Sequence, residues 1–215
     1  MRPLGKFSLT VGALVLLASP AWAQGRGGFG GGGANFLRAS NVQKDLKLSD
    51  EQVGKIQETL QASREKHQDE YAALRDASPE ERAAKAAALS KTVSEEVKKA
   101  LALSAEQTKR FDQISLQEQG VRAFADPSVA AKLNLTDAQK STVREVIESA
   151  RGQGRGAFNK DASEAERAEA RKKRAETTRT NLAKIVAVLT DAQKATWSEL
   201  IGTPIEIQLP PRGNN

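Results

Sequence analysis

Cysteine is missing from this chain altogether, histidine is a single residue, and aromatic side chains make up 4% of the sequence. Without cysteine there is no disulfide framework, no thiol chemistry and no thiol for lipid attachment. His67 stands alone among scattered carboxylates, which does not make a metal site. It falls on the apolar side of a helical pattern with Ile56, Leu60 and Tyr71, as a core-edge histidine would. Aromatic side chains bury the largest areas, so their scarcity argues against one deep globular core and for thin layers of helices. No H-E-x-x-H, phosphate-loop or Ser/His constellation occurs, so neither an enzyme nor a bound cofactor is expected.

Long hydrophobic runs are also lacking. The run Phe7–Ala18 holds about a dozen residues, against the roughly 20 needed to span a hydrocarbon core. Arg2 and Lys6 precede it, and Ala21-Trp22-Ala23 follows as an A-x-A cleavage site. The whole reads as a secretory signal peptide over residues 1–23, with a mature chain from Gln24, no transmembrane segment, and a periplasmic or secreted destination. The formal charge of +6 drops by two when Arg2 and Lys6 leave. Both signs remain interspersed, which describes a solvated, mildly basic surface and excludes a dedicated nucleic-acid binder.

What the chain does have is repetition. LNLTDAQ at residues 133–139 is echoed by LKLSDEQ at 46–52, LALSAEQ at 101–107 and LTDAQ at 189–193. The hydroxyl residues Ser49, Ser104, Thr136 and Thr190 are spaced 55, 32 and 54 residues apart. Long, short, long implies two copies of a two-phrase unit. In the same way Asp76–Arg82 (DASPEER) matches Asp161–Arg167 (DASEAER).

Each phrase has a mechanical meaning. A Ser or Thr followed three residues later by Gln is a capping box, so each phrase starts a helix. Seven residues after each cap come Ile56, Phe111, Val143 and Trp197, then Leu60, Ile114, Ile147 and Ile201 on the same helical face. Ser78-Pro79-Glu80-Glu81 adds a further box, with proline at its favoured first position, and Ser163 with Glu166 echoes it. Helices are therefore expected at roughly 49–76, 79–101, 105–119, 136–150, 164–188 and 191–201. Leu89, Val93, Val97 and Leu101 form a narrow stripe that needs a partner helix.

The expected organisation is a signal peptide (1–23), a Gly-rich flexible arm (24–41), helical repeats at 42–120 and 121–202, and a Pro-containing tail (203–215). Gly120 and Asp126-Pro127 mark the joint, and Gly202 with Pro204 stops the last helix. Ile205, Ile207 and Leu209 alternate with polar residues, so a short extended segment can lie across the bundle.

With four such phrases behind a signal peptide, the chain resembles the Spy/CpxP family of periplasmic stress proteins, known by an LTxxQ signature. The resemblance spans most of residues 42–201. It implies an all-α fold, here a tandem repeat of three-helix LTxxQ units packed as an elongated bundle or cradle. It also implies an ATP-independent, holdase-type chaperone or envelope-stress accessory that binds unfolded or partly folded exported proteins. Leu48, Ser49, Gln52, Leu103, Ser104, Gln107, Leu135, Thr136, Gln139, Leu189, Thr190 and Gln193 carry over as fold-defining positions. The family pairs two-phrase subunits; four phrases in one chain suggest that pair within a single polypeptide, while a homodimer stays open.

Three stretches invite sharper readings. Gln24–Gly30 looks like an RNA-binding RGG segment, yet one arginine and export favour a flexible tether. Arg151-Gly152-Gln153-Gly154-Arg155-Gly156 reads as a helix end and flexible connection, or as an anion- or client-binding loop through Arg151 and Arg155. Arg171, Lys172, Lys173 and Arg174, with Arg179, form the strongest basic cluster. A solvated helix face and electrostatic capture of clients are its two readings. A non-catalytic adaptor that docks an envelope partner is the competing function, with the apolar stripes wholly consumed inside the bundle.

Overall fold

The computed structural model describes residues 34–154 and 163–209. Among them the fold is all-α, with nine helices and no strand. They are α1 (Ser40–Asp45), α2 (Asp50–Lys66), α3 (Gln68–Asp76), α4 (Pro79–Ala100), α5 (Ala105–Gln119), α6 (Pro127–Lys132), α7 (Asp137–Gly154), α8 (Glu164–Ala187) and α9 (Asp191–Ile201). Short 3-10 turns at Asn35–Arg38 and Gly120–Ala125 complete the described elements. No described helix is long and apolar enough to cross a membrane.

The caps explain the starts. The hydroxyls of Ser49, Ser104 and Thr190 accept from the amides of Gln52, Gln107 and Gln193, and each Gln side chain accepts in return from the cap residue's own amide. Thr136 and Gln139 make the same pair of bonds, at 3.0 and 3.3 Å. Ser78 with Glu81 and Ser163 with Glu166 close boxes of the Glu type.

The residues just before three of these caps are equally specific. Lys47, Ala102 and Asn134 adopt φ of 50°, 47° and 49°. In each case the following leucine amide bonds back across the helix end, Leu48 to Gln43, Leu103 to Lys98 and Leu135 to Ala130. The left-handed residue itself bonds to Lys44, Lys99 or Ala131. This is a Schellman ending, so L-x-L-S/T-x-x-Q stops one helix and starts the next within a few residues. The fourth phrase lacks the left-handed residue, and Val188 and Leu189 close α8 with 3-10-type bonds to Ile185 and Val186.

Buried apolar side chains gather in two clusters. One holds Phe36, Leu37, Val42, Ile56, the α4 stripe of Leu89, Val93, Val97 and Leu101, and Phe111 and Ile114 of α5. The other holds Phe124, Val129, Leu133, Val143, Ile147, Ile185, Trp197 and Ile201. Each centres on an aromatic pair, Phe36–Phe111 at 4.9 Å and Phe124–Trp197 at 4.1 Å between ring centroids. Such pairs add about 1 kcal/mol beyond the area they bury. Helix α5 also contacts α9, where Gln113 and Gln117 donate to the carbonyls of Glu199 and Ile201.

Several expectations are corrected here. The arm expected to stay flexible through residue 41 does not: Ala34, Phe36, Leu37 and Ala39 are buried, and α1 already begins at Ser40. Two buried aliphatic and aromatic side chains so close together repay the entropy of ordering that segment. The single helix expected over 49–76 is interrupted at His67, whose φ of −105° and ψ of 21° separate α2 from α3. Helix α7 runs to Gly154, four residues beyond the rough end at 150 and within the 151–156 stretch. Helices α1 and α6, too short for a periodic signal, were not anticipated.

Candidate functional site

The phrase glutamines do more than cap. In the first cluster Nε2 of Gln52 donates to Oε1 of Gln107 at 3.1 Å, and Nε2 of Gln107 returns the bond to Oε1 of Gln52 at 3.1 Å. The remaining amide hydrogens go to the Leu101 carbonyl at 3.0 Å and the Lys47 carbonyl at 3.1 Å. Each oxygen also accepts from its own cap amide, from Ser49 and Ser104. Every donor and acceptor of both side chains is thus satisfied. Gln139 and Gln193 repeat the arrangement at 2.8 and 3.0 Å, donating in addition to the carbonyls of Val188 and Leu133.

The phrase residues 55 and 54 positions apart are therefore the ones that meet. A glutamate in these positions would keep the capping box but could not donate, which is why these boxes carry Gln. The boxes at Ser78 and Ser163 carry Glu, and among the described residues no partner amide meets either carboxylate. Leu48 and Leu103 pack half-buried on the first cluster, and Leu135 and Leu189 are buried in the second. These twelve positions build the frame, with the cap hydroxyls of Ser49, Ser104, Thr136 and Thr190 at exposed helix starts.

The basic cluster lies on α8. Lys172, Lys173 and Arg179 are exposed, and Arg171 and Arg174 occupy the same helix. Among the side chains described between residues 163 and 180 none is buried; burial on α8 begins at Asn181. Arg151 stands in the last turn of α7, and Arg155 lies outside the described residues, as do the segment Gln24–Gly30 and residues 1–23, expected to be a signal peptide. The structure thus gathers the α8 cations on one helix and does not show Arg155 beside them.

His67 is buried, 6% exposed, at the α2–α3 break. Its Nε2 lies 2.9 Å from Oε2 of Glu96 and its Nδ1 3.2 Å from Oε1 of Glu70. Glu96 is shared with the Lys66 ammonium. The Glu96 hydrogen bond raises the imidazole pKa above its ordinary 6.5, against the opposing loss of hydration, with Glu70 assisting. The hydrogen bond to the facing carboxylate outweighs the cost of burying the charged ring. Both ring nitrogens are engaged, and no group of His, Asp and Glu suited to a metal ion occurs among the described residues.

The side chains that the sequence gave no reason to single out are Asn41 and Gln117. Residues 203–209 form neither helix nor strand, yet their backbone is held by these two amides. Gln117 is 5% exposed; its Nε2 donates to the carbonyls of Ile201 at 2.6 Å and Thr203 at 2.9 Å, and its Oε1 accepts from the Ile205 amide at 3.0 Å. Asn41 donates to the Glu206 carbonyl and accepts from the Gln208 amide at 3.2 Å. Ile205 and Ile207 pack against the first cluster. The alternation of the isoleucines was visible in the sequence; their polar partners, more than 80 residues distant, had no local signal.

Comparison with models of known protein families, with curated proteins and with solved structures finds no match.

Proposed function

We propose that this chain is an exported, ATP-independent holdase-type chaperone or envelope-stress accessory that captures unfolded or partly folded proteins through a shallow helical surface, without catalysis or cofactor. The observation that carries the reading is the basic face of α8, where the described side chains of Lys172, Lys173 and Arg179 are exposed. A basic surface of this kind raises encounter rates with acidic segments while holding them weakly, which suits release without an energy source. The signal peptide and the LTxxQ resemblance supply the exported setting and the stress context.

A second reading has its own support. Val188 and Leu209 are the large hydrophobic side chains exposed among the described residues, so the apolar stripes are nearly consumed by the two clusters. That favours a non-catalytic adaptor docking an envelope partner. Light scattering from a chemically unfolded client, diluted with and without the mature chain (residues 24–215) in the absence of ATP, separates the two. Suppression at near-stoichiometric ratios, reduced at low salt when Arg171, Lys172, Lys173 and Arg174 become glutamate, supports capture on α8. No suppression across several clients and salt concentrations transfers the assignment to the adaptor.

A further inference from the structure

The way residues 203–209 are held is the way proteins hold a peptide. In a parallel β-pair a residue donates to the carbonyl before its neighbour and accepts from the amide after it. The Asn41 side chain does this around Ile207, through the Glu206 carbonyl and the Gln208 amide. The Gln117 side chain does it around Pro204, through the Thr203 carbonyl and the Ile205 amide. Two side-chain amides thus stand in for a neighbouring strand on an otherwise helical protein. Main-chain bonds of this kind carry affinity whatever the sequence, while pockets for alternate side chains carry selectivity. Here the alternate side chains are Ile205 and Ile207, seated on the first apolar cluster.

We propose that the Asn41–Gln117 surface is a binding site for extended polypeptide segments with aliphatic residues two apart, and that the chain's own residues 203–209 occupy it as a displaceable latch. The latch begins at Gly202, which ends α9 with φ of 59°. A tether this short gives the tail an effective concentration on the order of millimolar, so an outside segment competes against a permanent rival. The small number of exposed apolar side chains is then a property of the latched form. The site is distinct from the α8 surface and does not depend on capture there.

The test uses the full mature chain with Ile205→Asp and Ile207→Asp, which detach the tail and leave α9 and Trp197 untouched. Two labelled peptides serve as probes, one of the sequence Thr203–Leu209 and one of unrelated sequence with valines two apart after a proline. Fluorescence anisotropy should show both peptides binding the unlatched chain at least tenfold more tightly than the wild type. Adding Asn41→Ala or Gln117→Ala should weaken each by about tenfold, the worth of a hydrogen bond or two. An unlatched chain with unchanged helicity and Trp197 emission that binds neither peptide overturns the proposal. Binding of the chain's own sequence alone also overturns it, because the contact is then a self-specific clasp. Should the unlatched chain fail to fold, hydrogen exchange on the wild type decides. The amides of Ile205 and Gln208 should exchange more than a hundredfold faster than that of Ile114, and exchange only with global unfolding refutes a displaceable latch.

Discussion

Gln139→Glu separates a cap from a frame. A capping box works with Glu as well as with Gln, and a carboxylate near a helix N-terminus gains about 0.5 kcal/mol from the dipole. If capping were the whole role of the phrase, the variant would be as stable as the wild type or slightly more so. In the structure the Gln139 amide also donates at 2.8 Å to the Val188 carbonyl and at 2.8 Å to Oε1 of Gln193. The carboxylate loses both donations, each worth about 1 kcal/mol net, and sets its oxygen against the Val188 carbonyl at a site only 9% exposed. After the dipole gain, a loss of about 2 kcal/mol is expected. Urea unfolding of residues 24–215 followed by Trp197, which lies in the same cluster and is the one tryptophan of that stretch, reads it directly. Glu166→Gln, where no partner amide occurs among the described residues, should change stability by less than about 0.5 kcal/mol. A Gln139→Glu chain at least as stable as the wild type would refute the reasoning and reduce the phrase to a cap.

Gly202→Ala should cost about 2 kcal/mol in the same assay, because φ of 59° with ψ of −155° is open essentially to glycine alone. The added Cβ would also lie 2.4 Å from the Gln113 amide and push it off the Glu199 carbonyl. Ala102→Gly should instead raise the urea midpoint by the equivalent of about 0.5 kcal/mol. The left-handed backbone penalty of about 1 kcal/mol is relieved, glycine's unfolded-state entropy takes back part of it, and the exposed alanine packs on nothing. His67 should give a pH signature. Its folded pKa lies above the ordinary 6.5 because of Glu96, then Glu70, so its stabilisation is complete below pH 6.5 and lost as pH climbs through the higher folded value. Melting temperatures above that pH should fall for the wild type relative to His67→Gln, and parallel curves for the two proteins would rule the pair out as a source of stability.

The helix starts were legible because a capping box is local: Ser49, Ser104, Thr136 and Thr190 each find their partner three residues on, and the chain needs no distant contact to make that bond. The core faces were legible for a related reason, since Ile56, Phe111, Val143 and Trp197 fall at helical spacing from the caps and all are buried. Lys47 and Ala102 were not recognisable as left-handed, since neither is the glycine that usually marks that conformation.

Sequence alone therefore determined the all-α class, most helix starts, the stop at Gly202 and the apolar stripes, because each is set by interactions within a few residues or by one helical period. The pairing of Gln52 with Gln107 and of Gln139 with Gln193, the seating of Phe36 and Leu37, and the placing of His67 between Glu70 and Glu96 were decided by tertiary structure. So was the capture of residues 203–209 by Asn41 and Gln117. Those contacts join groups that no local rule connects, and a polar side chain finds its partner there only once packing has excluded water from around both.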